Sequence, residues 1–124
     1  MLTVRGTRAA QEVWEDYVRP ARWSSWAPQI LGVDAPAGIV APGLRGVVHG
    51  PLGLRVRFVV TAVDPAARRW RWIATVAGLD VGMEHAVVAV PGGCLTTLTI
   101  EAPATVRVLY APVAAAALRR LVRG

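Results

Sequence analysis

No lysine and no asparagine occur anywhere in these 124 residues, and there are only one cysteine, two histidines and one phenylalanine. All 14 basic side chains are therefore arginines. With abundant Ala, Gly and Val, this points to a GC-rich, bacterial-like coding bias rather than selection for phosphate contacts. The formal charge is +6, but the arginines are scattered as singles and pairs, without a run of five or more. Nucleic-acid binding needs them clustered on one face, so no nucleic-acid partner is expected. Cys94 alone cannot form an internal disulfide, and one Cys with two His does not complete a zinc cluster. Neither a metal nor a cofactor is expected.

Long apolar runs are missing too. The longest, Val108 to Leu118, is interrupted by Pro112 and bounded by Arg107 and Arg119. That is well short of the roughly 18 to 20 residues that span a bilayer, so no transmembrane segment is expected. The N-terminus shows no apolar stretch with a small-residue cleavage site after it, hence no signal peptide. A soluble, cytoplasmic protein is the expectation. What is plentiful is apolar character: 54% of residues are hydrophobic and 18% charged, which excludes disorder. The length suits one domain over residues 1–124 with one core.

Periodicity divides the chain into three parts. Leu2 to Arg5 alternates like a short strand. Thr7 is a candidate helix cap, after which Ala10, Val13, Trp14, Tyr17 and Val18 mark one helical face. Pro20 ends that helix, and a second short one spans Ala21 to Trp26. From Ile30 to Glu101, Pro and Gly punctuate β-type runs: Ile30–Ala35, Arg45–His49, Leu54–Asp64, Arg69–Val76, Val81–Val90 and Cys94–Glu101. Short turns between them predict an antiparallel meander. Thr105 to Arg123 reads as a helix that Pro112 kinks or splits, with Arg119, Arg120 and Arg123 complementing its dipole.

Val13-Trp14-Glu15 followed by Trp23-Ser24-Ser25-Trp26-Ala27-Pro28-Gln29-Ile30 resembles the opening of the SRPBCC (START-like, helix-grip) superfamily, in particular polyketide cyclase/dehydrase-like members. Pro42-Gly43-Leu44-Arg45-Gly46, the hairpin Val63 to Trp72, and Met83-Glu84-His85-Ala86-Val87 with Cys94 to Thr99 continue the likeness. The resemblance implies an α+β helix-grip fold: a curved antiparallel sheet wrapped around a long C-terminal helix, with two short helices after the first strand. It also implies a cavity between sheet and helix. The first strand is short for the family, which leaves the sheet edge incomplete or the native start upstream of Met1.

Strand alternation sorts the faces. With Arg55, Arg57, Arg69, Arg71 and Glu84 outward, the inward set is Leu54, Val56, Phe58 and Val60; Trp70, Trp72, Ala74 and Val76; Met83, His85, Val87 and Ala89; Cys94, Thr96, Leu98 and Ile100. Candidate ligand contacts are Phe58, Trp70, Trp72, Met83, His85 and Thr96, with Leu109 and Val113 from the last helix. The plainer reading is that the tryptophans complete the core and that His85 is simply packed. His85 and Tyr110 are the candidate proton-moving groups, but no acid is predicted beside His85. His49 belongs to a surface turn, and Cys94 packs at a strand start.

Three functions remain open. The first is binding of a small hydrophobic, ring-containing molecule by a monomer or homodimer. The second is a polyketide cyclase or dehydratase acting through His85 or Tyr110. The third is an interaction module whose interior is filled by its own side chains.

Overall fold

The computed structural model of the protein describes residues 1–123. In chain order come β1 (Leu2–Gly6), α1 (Ala10–Val18), a 3-10 turn (Pro20–Arg22) and α2 (Trp23–Trp26). Then follow β2 (Gly32–Asp34), β3 (Arg45–His49), a second 3-10 turn (Pro51–Gly53), β4 (Arg55–Asp64), β5 (Arg69–Val76), β6 (Leu79–Val90), β7 (Gly93–Glu101) and α3 (Ala104–Val122). The strands form one antiparallel sheet in the order β1-β7-β6-β5-β4-β3-β2. The sheet curls about α3, and the two short helices follow β1, as the helix-grip expectation required.

Turn chemistry explains why the central strands run longer than their apolar cores. Ala77 and Gly78 both have positive φ, 51° and 79°, so the β5–β6 connection is a two-residue turn of the kind whose twist matches paired strands. Pairing therefore starts at once, with Val76 opposite Leu79, and β6 begins two residues before the expected Val81. A bulge between Val60 and Ala62 shifts the β4–β5 register and bends that strand.

Alternation places the faces as expected. Phe58, Val60, Trp70, Trp72, Ala74, Met83, His85, Val87, Cys94, Thr96 and Leu98 are all buried. Leu54 is 49% exposed, because it precedes the paired part of β4, and Ala89 is exposed near the β6–β7 turn. On the outer face Arg71 reaches across Gly82 to grip Glu101, one of its bonds being Nη1 to Oε1 at 2.6 Å. A Cβ on Gly82 would stand 3.4 Å from the Arg71 guanidinium.

The helices close the concave side. α1 buries Ala10, Val13, Trp14, Tyr17 and Val18, the predicted face. It starts at Ala10, and Ala9 rather than Thr7 stands at the N-cap position. The reason lies at Arg8. Its backbone N–H donates to the Val122 carbonyl at 3.1 Å and its guanidinium to the Leu121 carbonyl at 2.9 Å. The chain is thus pinned to the end of α3 before the helix starts. α3 runs unbroken through Pro112. The proline withholds a donor from the carbonyl of Val108, which stands on a residue 71% exposed, so water can replace the missing bond. Ala114, Ala117, Leu118, Leu121 and Val122 bury the C-terminal half of α3, which packs on β1 and β7. The N-terminal half is less covered, with Leu109 75% exposed.

Candidate functional site

The interior has two unlike halves. One is filled by aromatic rings delivered from α1, α2, β4, β5 and β6. Trp23 stacks on Trp70 at 5.6 Å, and Trp70 on Trp72 at 5.6 Å. Phe58 meets Trp72 edge-on at 5.7 Å. Tyr17 and Trp26 form a T-shaped pair at 5.6 Å, and the His85 ring lies on Trp70 at 4.8 Å with 12° between planes. Aromatic contacts of this kind contribute about 0.5–1.5 kcal/mol each beyond burial. The polar tips within the cluster find partners in part. Trp23 Nε1 donates to the Tyr17 carbonyl at 2.9 Å. Thr96 donates to the Ala86 carbonyl at 2.8 Å, so its oxygen accepts from the Tyr17 hydroxyl at 2.5 Å. Desolvation pushes the Tyr17 phenol well above its usual range, which keeps it neutral.

The other half is open. A cavity of about 430 Å³ lies between the sheet and the N-terminal half of α3. The sheet contributes Val48 from β3, Val56 from β4, Trp72, Ala74 and Val76 from β5, and Leu79, Val81 and Met83 from β6. The helix contributes Val106, Tyr110 and Val113, spaced i, i+4 and i+7 along one face. Gln29 and Ile30 after α2, and Gly50, Pro51 and Leu54 around the second 3-10 turn, complete the wall. Gln29 Nε2 donates to the Tyr110 hydroxyl at 3.1 Å, tying the loop to the helix. Burial, opposed in part by that bond, raises the Tyr110 pKa.

Of the eight residues the sequence singled out as ligand contacts, Trp72, Met83 and Val113 line this cavity together. Phe58, Trp70 and Thr96 sit in the packed half, and Leu109 points away from the cavity to solvent. The helix is apolar on nearly every side at this point, so its composition did not favour Leu109 or Tyr110 as the inward residue. Tyr110, expected only as a candidate hydroxyl, does line the cavity. Val81 shares the parity of Met83 and was legible. Gln29 and Ile30 precede β2, which starts at Gly32 rather than at the expected Ile30, and Pro51 opens the second 3-10 turn; alternation carries no signal at any of them.

His85 stands behind the large cavity. It is 4% exposed. The Trp72 indole N–H, which can only donate, gives its hydrogen bond to His85 Nε2 at 3.0 Å, so the neutral ring carries its proton on Nδ1. Desolvation lowers the His85 pKa from 6.5 to about 3. A ring with its lone pair taken and its basicity suppressed is a poor general base. His49 is the last residue of β3, paired with Gly32 and Arg55, rather than part of a turn, and its Nε2 lies 2.7 Å from Asp34. Cys94 is buried, and burial raises its thiol pKa. Among the described residues no three His, Cys, Asp or Glu side chains gather where a metal ion could be held. No helix among them is long and apolar enough to cross a membrane.

Solved structures share this architecture at low identity. Protein MLL2253 from Mesorhizobium loti superposes with a TM-score of 0.81 at 14% identity, covering 97% of this chain and 90% of that one. A protein from Thermobifida fusca gives 0.78 at 18% identity, covering 98% and 88%. Ara h 8.0201 gives 0.77 at 14% identity, covering 97% and 91%. At such identities the likeness shows the fold alone. No curated protein matches the sequence. The family described as polyketide cyclase / dehydrase and lipid transport matches residues 2–124. With that match over nearly its whole length and the helix-grip architecture beneath it, the chain belongs to this polyketide cyclase-like family of the SRPBCC superfamily.

Proposed function

We propose that the protein binds a small hydrophobic, ring-containing molecule in the cavity between its sheet and the N-terminal half of α3. The cavity itself carries this reading. Its volume of about 430 Å³ falls in the range of small-molecule sites. Gln29 and Tyr110 are the only side chains in its wall, apart from the Trp72 indole, that bear a polar group. Trp72 supplies an aromatic face at one edge. The filled-interior alternative required the tryptophans to occupy this space, whereas they crowd the other half. The cyclase or dehydratase alternative gains no support from the geometry, because no acid–base pair lines the cavity.

Equilibrium dialysis against 2-methylnaphthalene tests the reading. Saturable, one-to-one uptake is expected. Val81→Trp, which places a large ring in the cavity, is expected to weaken it at least tenfold. Val88→Trp, at a position 49% exposed on the outer face, should leave it unchanged. Absence of saturable uptake, or equal loss in both variants, would sink the proposal.

A further inference from the structure

Behind the large cavity lies a second, small chamber of about 30 Å³. The two share Gln29, Ile30, Trp72, Met83 and Tyr110 in their walls, so the chamber adjoins the cavity directly. Trp26 and His85 also line it. Five buried side-chain polar atoms have no hydrogen-bond partner among the described residues, and three belong to residues of this one chamber: Trp26 Nε1, His85 Nδ1 and Gln29 Oε1. Trp26 and His85 are 8% and 4% exposed. Buried polar groups are ordinarily paired, so three orphans around one space call for a common explanation.

Their chemistry is complementary. Trp26 Nε1 is a donor only. His85 Nδ1 is a donor as well, since Nε2 already accepts from Trp72. Gln29 Oε1 is an acceptor, its amide nitrogen being engaged with Tyr110. A single oxygen that accepts from the two N–H groups and donates to the amide would answer all three. We propose that the chamber is a head-group subsite for one neutral hydroxyl, of phenol or alcohol type, on a ligand whose apolar body fills the large cavity. A carboxylate does not suit it. No arginine lines either space, and an unpaired buried charge is strongly disfavoured. An ether or ketone would accept from the donors but leave Gln29 Oε1 unanswered.

This inference rests on the cavity's being a ligand site, and four probes of similar shape separate the two claims. Dialysis at pH 7 compares 2-methylnaphthalene, 2-naphthol, 2-methoxynaphthalene and 2-naphthoate. Transfer from water favours the hydrocarbon, because burying an unpaired hydroxyl is costly. With the subsite, 2-naphthol is expected to bind at least as tightly as 2-methylnaphthalene, with the ether about tenfold weaker than the naphthol and the carboxylate weaker still. Trp26→Phe keeps an aromatic ring and deletes one donor, and Gln29→Met deletes the acceptor. Each should weaken 2-naphthol about tenfold, and Trp26→Phe, at a residue outside the wall of the large cavity, should change 2-methylnaphthalene by no more than about twofold. Binding of the hydrocarbon with 2-naphthol tenfold weaker would overturn the subsite and leave the cavity standing. Failure of all four probes to bind would overturn both.

Discussion

His85 is held neutral by its surroundings: Trp70 covers one face, the Tyr17 ring lies 5.0 Å away, and Trp72 occupies Nε2. No acid belongs to this shell, so desolvation acts alone to lower its pKa to about 3. The consequence for stability has a definite sign. Above pH 6.5 neither state binds a proton at this ring and its contribution is full. As pH falls, the unfolded imidazole protonates first, protons favour unfolding, and stability drops until the folded ring also protonates near pH 3. Between pH 7 and 5, where carboxylates are still ionised, this one group is expected to remove about 2 kcal/mol. Urea unfolding at the two pH values checks it: the native protein should show that loss, and His85→Gln should show little of it. Equal losses would mean that the ring is solvated in the fold. The inward aim of His85 followed from alternation alone. Its bond to Trp72 did not, because Trp72 lies opposite Met83 rather than His85 and meets the imidazole along a diagonal that only the twisted sheet defines.

Helix α3 does different work at its two ends. The C-terminal half is a packing element, with alanines that let it approach the sheet edge closely. β1 meets it through Gly6, where a Cβ would lie 2.1 Å from the Val122 carbonyl oxygen. Backbone on both sides leaves little room to yield. Gly6→Ala is therefore expected to lower stability by more than about 2 kcal/mol, read as a fall in thermal midpoint. The nearby Arg5→Ala, on an exposed residue, should stay within about 0.5 kcal/mol. Parity of effect would show that β1 and α3 do not pack at that distance. The N-terminal half is a wall of the cavity. The antiparallel meander and most of the inward faces of β4 to β7 were readable because period-2 alternation is strong when arginines mark the outer face, and the first short helix because its apolar residues recur at helical spacing. The bulge beside Thr61, the Ala77-Gly78 turn and the inward rotation of Tyr110 were not. Each depends on backbone torsions or on a helix apolar on all sides, where composition favours no direction.

A seven-stranded sheet curled about one helix encloses more volume than 123 described residues fill, and the chain resolves this unevenly. Its tryptophans are concentrated at one end, leaving aliphatic walls and about 430 Å³ of space at the other. Unfilled apolar volume lowers stability, since the lining side chains lose contacts they would make in a packed core. If that space is kept for a ligand, stability and binding should move in opposite directions when it is filled from within. Ala74, buried on β5 and part of the cavity wall, is the position to test. Ala74→Leu adds three carbons to an apolar space with room for them, worth about 2 kcal/mol at roughly 0.8 kcal/mol per buried carbon. The thermal midpoint should rise by about 5 °C or more, while affinity for 2-methylnaphthalene falls at least tenfold. A variant less stable than the native protein but with its binding intact would place Ala74 in tight core and the ligand elsewhere. Opposed changes in the two measurements would identify the space beside Trp72 as volume the fold keeps open at a cost in stability, which is the behaviour of a binding cavity rather than of imperfect packing.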